Sequence, residues 1–199
     1  MLVIGVTGGV GTGKSTVARL FGQLGCRVLD ADEMTHTLMR LGQPIWRKIR
    51  ASFGKEVLTS GRQIDRRRLG QMVFGDSKRL TRLCQIVHPA VRRQIRQEIR
   101  RIRQKDPGAA VVLDIPLLIE AGSHYRLDAL VVVSAPLKVV ANRLHARSGW
   151  SLSEVKRRQA FQRPLRQKER MADFVVRNGG SKALTRRQVV KIWKRIGTR

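Results

Sequence analysis

The segment Gly8-Gly9-Val10-Gly11-Thr12-Gly13-Lys14-Ser15, with Thr16 following, fits G-x-x-x-x-G-K-[S/T] and constrains the fold more than any other feature of the chain. It stands between an apolar run of strand length, Leu2–Thr7, and a helical pattern, Lys14–Leu24, that Gly25 closes. A loop of this kind needs a buried strand behind it and a helix N-terminus ahead of it, and both are present. Glycines let backbone N–H groups turn inward around a phosphate. Lys14 can reach β- and γ-phosphate oxygens, and the Ser15 hydroxyl can ligate Mg2+. The alternative is a Gly-rich turn that binds nothing; an eight-residue match in the right context weighs against it.

Beyond the loop, short apolar runs alternate with longer helical patterns. Cys26–Asp30, Ala110–Ile115, Ala129–Ser134 and Phe174–Val176 read as strands. The runs at 110–115 and 129–134 are too continuously apolar to be half-exposed, as in a parallel sheet covered on both faces. Helices are predicted near Ala31–Arg40, 44–53, 65–74 and 77–104, the last interrupted at His88-Pro89, and again at Pro136–Arg147, Ser151–Gln162 and Lys182–Ile196. Ser151-x-x-Glu154 is a capping-box pattern. Strand–helix alternation at both ends around a helical middle predicts a three-layer α/β/α fold of the P-loop NTPase type. Its sheet should have five mostly parallel strands. One domain over 1–199 is expected, with a core of about 1–40 and 108–199 and a helical insertion of about 41–107.

Charge is uneven. Forty-one Lys+Arg against fourteen Asp+Glu give +27 at pH 7, and thirty of the cations are Arg. Residues 1–39 carry Lys14, Arg19 and Arg27 against Asp30, Asp32 and Glu33, so the excess lies wholly in 40–199. Such a surface should attract phosphates. The densest run, 92–105, holds seven cations, while Val91, Ile95, Ile99 and Ile102 recur at helical spacing. It reads either as a nucleic-acid- or membrane-binding helix or, more simply, as a solvated face on an Arg-rich chain. Trp46, Trp150 and Trp193 are scattered and make no stacking platform, so any nucleic-acid contact should be non-specific. Cys26 and Cys84 can form neither a disulfide framework nor a zinc site alone, and no apolar run reaches the roughly 18 residues of a membrane span. A soluble, cytoplasmic setting is expected; oligomeric state is left open.

The class of phosphate-loop protein narrows by elimination. No Asn-Lys-x-Asp for guanine occurs, and Val111-Val112-Leu113-Asp114 continues into Ile115-Pro116 rather than a second acid. Val28-Leu29-Asp30-Ala31-Asp32 instead puts two carboxylates at the C-terminal end of the second strand, the edge where ligands sit in such sheets. One could accept a proton from an attacking hydroxyl while the other holds a magnesium-bound water, or either could cap the following helix.

With these residues in view the chain resembles the dephospho-CoA kinases, the P-loop enzymes of the last step of coenzyme A synthesis. Residues Thr7 to Thr16, Asp30-Ala31-Asp32, Ile64-Asp65-Arg66, Val73-Phe74, Ile86-Val87-His88-Pro89, Asp114 to Glu120 and Asn178-Gly179 carry the resemblance, over nearly the whole chain. The phosphate loop alone is unspecific; the ordered set is specific. A shikimate kinase would need a Gly-Gly-Gly segment after its Asp-x-Asp, and none follows here. The family's Ala-Asp-Asp-x-x-x-Asn appears as Ala172-Asp173-Phe174-Val175-Val176-Arg177-Asn178, with one acid replaced by Phe174, and the basicity exceeds the family's needs.

The resemblance implies phosphorylation of the ribose 3′-hydroxyl of dephospho-CoA by ATP with Mg2+. It implies Asp32 as the base, with Lys14 and Arg143 on the transferring phosphates. ATP would be held by Gly8, Gly9, Gly11, Thr12, Gly13, Lys14, Ser15 and Thr16, with Asn178 and Gly179 near adenine. The acceptor would meet Asp32, His88, Pro116, Leu117 and Leu118, of which His88 lies in the helical insertion, the acceptor-binding part of the fold. Ser15 would ligate the ion, and Asp114 would hold it through water or be purely structural. Lys14 is expected to face solvent in an empty site. Two other readings stay open: a different small-metabolite P-loop kinase, and an RNA-binding protein with a regulatory nucleotide site.

Overall fold

The computed structural model describes residues 1–74, 76–116, 118–119 and 125–197. In chain order these form β1 (Leu2–Gly8), α1 (Lys14–Gln23), β2 (Arg27–Asp30), α2 (Ala31–Leu38), α3 (Pro44–Phe53), α4 (Arg66–Phe74) and α5 (Ser77–Lys105). They continue as β3 (Ala110–Asp114), β4 (Ala129–Ser134), α6 (Leu137–Ser148), α7 (Leu152–Ala160), α8 (Leu165–Met171), β5 (Phe174–Arg177) and α9 (Lys182–Gly197). The chain divides into two compact units, Met1–Asp30 with Ile102–Arg199, and Ala31–Arg101.

The first unit is built on a five-stranded sheet of order β2-β3-β1-β4-β5. All four pairings are parallel. Strand alternation sends Ile4, Val6, Val112, Val131, Val133 and Val176 to one face, where Val17, Ala18 and Phe21 of α1 and Val189, Ile192 and Ile196 of α9 cover them. On the other face, Leu118 and Leu127 occupy the space a side chain at Gly5 would need. Double coverage explains why β1, β3 and β4 are almost uninterrupted aliphatic runs. Two carboxylates stitch strand starts: Asp128 accepts the Val3 N–H at 2.7 Å and Asp173 the Leu130 N–H at 2.8 Å. Phe174, the position where an acid is missing, packs against the core with the Arg195 guanidinium 5.8 Å from its ring centre.

The second unit is helical. Ile45, Trp46, Ile49 and Phe53 of α3, Leu69 and Val73 of α4, and Ile86, Val87, Val91 and Ile95 of α5 are its buried apolar residues. Carboxylates start its helices: Asp65 accepts from Arg67 and Arg68 N–H, and Asp76 from Lys78 and Arg79 N–H. Trp46 donates to the Arg62 carbonyl at 2.8 Å, so it is an anchor of this unit's core and not a stacking surface.

Two expectations change. His88-Pro89 does not interrupt its helix, and α5 runs unbroken for 29 residues with Pro89 inside. Proline forfeits the bond to the residue 85 carbonyl, but Gln85 and Pro89 both lie on the exposed side, where water can satisfy that oxygen. The helix α8 has no counterpart in the sequence reading. Leu-Arg-Gln-Lys-Glu-Arg-Met offers no apolar stripe, and only Pro164 at its N-cap position marks its start.

Candidate active site

β1 delivers the loop at the C-terminal edge of the sheet. Thr7, fully buried, donates its hydroxyl to the Pro116 carbonyl at 3.1 Å and so ties the strand end to the segment after β3. The loop then folds on the Gly9 carbonyl, which accepts from Thr12 Oγ1 at 2.9 Å and from Lys14 Nζ at 3.0 Å. Lys14 is therefore half-buried and not solvent-facing as expected, because its ammonium folds back onto a carbonyl of its own loop. Gly13 stands at the N-cap of α1 with φ 91° and ψ 33°, a left-handed conformation that β-carbon-bearing residues avoid. A β-carbon there would also collide with Asn178 Nδ2, so glycine is required twice over. Ser15, in the first turn of α1, is exposed.

Three side chains from distant segments close on this loop. Gln162, just past α7, accepts the Val10 N–H at 3.1 Å. Asn178, just past β5, donates from Nδ2 to the Thr12 carbonyl at 2.8 Å, and its Oδ1 accepts the Thr185 hydroxyl of α9 at 2.9 Å. Arg143 of α6 brings Nη1 to 3.8 Å from the β-carbon position of Gly13, and that atom is buried with no hydrogen-bond partner. A buried guanidinium N–H left unmatched is costly unless an anion completes it. Gly179 backs onto the Pro136 ring, 2.7 Å from where its β-carbon would lie.

Asp30 and Asp114 are direct neighbours in the parallel register of β2 and β3, so their side chains leave the same face at the C-terminal edge. Asp114 is 3% exposed and Asp30 half-buried. Asp32 is exposed in the first turn of α2, where a helix N-terminus favours negative charge. Among the described residues no group of three His, Cys, Asp or Glu could hold a metal by itself. Leu118 is 2% exposed, with a methyl 2.7 Å from the β-carbon position of Gly5, so packing fully employs it. Leu117 lies outside the described residues. His88 lies half-buried on α5; burial first, and the Arg92 charge second, push its pKa below the ordinary 6.5.

The sequence reading missed Gln162, Thr185 and the fully buried Lys168 of α8. None belongs to a short motif. Gln162 reaches Val10 across 152 residues of chain and Asn178 reaches Thr12 across 166, separations no local pattern reports.

Known proteins bear on this geometry. The dephospho-CoA kinase family model matches residues 2–183. A dephospho-CoA kinase of Carboxydothermus hydrogenoformans is 40% identical over 195 residues, covering 96% of this chain and 94% of the relative. The crystal structure of TT1252 from Thermus thermophilus superposes with a TM-score of 0.81 at 36% identity, covering 98% of this chain and 96% of that one. A dephospho-CoA kinase from Campylobacter jejuni superposes with a TM-score of 0.63 at 27% identity over the same shares.

Proposed function

The chain belongs to the dephospho-CoA kinase family, and from that premise we propose how its residues carry out ATP-dependent phosphorylation of dephospho-CoA, a step of coenzyme A biosynthesis. The observation that carries the site assignment is the buried, unmatched Nη1 of Arg143 beside Gly13, on a loop that turns through the left-handed Gly11 and Gly13. ATP binds with its β- and γ-phosphates on Gly8, Gly9, Gly11, Thr12, Gly13, Lys14, Ser15 and Thr16, at the N-terminus of α1. Arg143 completes its hydrogen bonding on the γ-phosphoryl oxygens. Its planar fork suits an oxyanion whose charge spreads during transfer.

The acceptor is the ribose 3′-hydroxyl of dephospho-CoA. Asp32 orients that hydroxyl and takes its proton as the new O–P bond forms and the bond from the γ-phosphorus to the bridging oxygen breaks, with ADP departing. Lys14 neutralises the oxygens on which that charge collects. His88, uncharged at neutral pH, and Pro116 contact the acceptor, and Leu118 supports that segment by packing. The Ser15 hydroxyl and the Asp114 carboxylate are hard oxygen donors of the kind magnesium accepts alongside substrate phosphates. They would hold the ion, Asp114 through water, and its chemistry when bound is to neutralise β/γ charge.

The chain works in the cytoplasm. Both of its cysteines are free thiols, and among the described residues no helix is long and apolar enough to cross a membrane. Contact of the cationic surface with nucleic acid is non-specific. ADP release measured in parallel with dephospho-CoA, adenosine, AMP and shikimate tests the function. Dephospho-CoA should be preferred, because its pantetheine arm supplies binding energy that positions the ribose. Equal kcat/KM for dephospho-CoA and AMP would replace this reading with a general nucleotide kinase.

A further inference from the structure

The amide of Asn178 can be placed in only one way. The Thr12 carbonyl is solely an acceptor, so the nitrogen of the amide must face it, at 2.8 Å. Oδ1 then faces Thr185 Oγ1 at 2.9 Å, and one of those two oxygens must donate; only the hydroxyl can. Thr185 is 1% exposed and Asn178 is 6% exposed, so solvent is a poor substitute on either side. The same hydroxyl has the Ser181 carbonyl, one turn back, as a second acceptor at 3.2 Å. The orientation of Asn178 therefore depends on Thr185.

That orientation reaches the nucleotide site. In a planar trans peptide the carbonyl and the following N–H point in opposite directions. A Thr12 carbonyl drawn toward Asn178 therefore turns the Gly13 N–H away from it, and Gly13 is the left-handed hinge from which α1 starts. From this we infer that Thr185 is a positioning residue for nucleotide binding: through Asn178 it fixes the Thr12–Gly13 peptide, and with it the direction of a phosphate-facing N–H. The inference rests on the nucleotide half of the function proposed above and is independent of the acceptor.

The test is the affinity of the wild-type protein and its variants for MgADP, measured by titration calorimetry with no acceptor present, alongside KM values and melting temperatures. Thr185→Val removes the donor at constant shape and should weaken MgADP binding and raise KM for ATP by roughly fivefold or more, the scale of one buried hydrogen bond. KM for dephospho-CoA should stay within about twofold, because only the loop is loosened. Thr185→Ser, which keeps the hydroxyl, should restore ADP affinity. Thr185→Ala takes the place of the valine variant if that one does not fold.

Val189→Ala, one turn further along α9 in the core and fully buried, is the control for mere destabilisation. It should lower the melting temperature and leave ADP affinity unchanged. In an Asn178→Ala background, Thr185→Val should add nothing to the loss. Unchanged ADP binding in Thr185→Val, an equal loss in Val189→Ala, or full additivity with Asn178→Ala would each overturn the inference. Wild-type affinity for ADP without turnover of dephospho-CoA would instead count against the acceptor assignment alone.

Discussion

Lys14 rests on the Gly9 carbonyl at 3.0 Å, and its ammonium carries three donors. That bond ties the lysine back onto the loop it would serve. The carboxylates are harder to sort. Asp30 faces Asp114 across the strand pair, whereas Asp32 stands in the first turn of α2. Asparagine is as good as aspartate near a helix start but cannot take a proton. Asp32→Asn should therefore keep its melting temperature within about 4 °C while kcat falls about a hundredfold, the low end for a general base, since orienting the hydroxyl is much of the task. Asp30→Asn measured in parallel should lose far less. The reverse pattern would exchange their roles, and full activity in both would end the mechanism offered here.

Among the elements, α5 makes the plainest pH prediction. The pKa of His88 is depressed, by burial first and Arg92 second, so the folded state disfavours its proton. Stability from this residue is present above the unfolded value of 6.5 and is lost as pH falls from there through the lower folded value. Thermal melts between pH 7.5 and 5 should show His88→Gln losing less stability on acidification than wild type; parallel curves would contradict it. This helix also shows what was legible in the sequence. Its apolar stripe predicted the buried face, with Val91 and Ile95 inside and Arg93, Arg96, Arg100, Arg101, Arg103 and Lys105 exposed, but Pro89 was read as a break because the exposed side on which it falls is a tertiary fact. β1, β3, β4 and the loop were legible because double coverage and phosphate geometry each leave a dense local pattern. The short, charge-dense α8 left none.

At the scale of the whole molecule, the chain carries a charge of +27. The pairs Arg68–Asp65, Arg79–Asp76, Arg101–Glu98 and Arg158–Glu154 join residues three or four apart and stabilise little at a solvated surface. Other carboxylates start strands, as Asp128 and Asp173 do, and the acids at 30, 32 and 114 stand out at the C-terminal edge of the sheet and the start of α2. The product of the reaction is the direct test. The protein incubated with ATP, Mg2+ and dephospho-CoA should yield one ADP per acceptor consumed. By mass spectrometry and phosphorus NMR, the product should carry a single new phosphomonoester on the ribose 3′-oxygen with the pyrophosphate intact. Lys14→Ala should form the same product roughly 10²–10³-fold more slowly, as for loss of one transition-state donor. A phosphoryl group elsewhere on the acceptor, ADP released without a new ester, or an undiminished rate in Lys14→Ala would contradict the account.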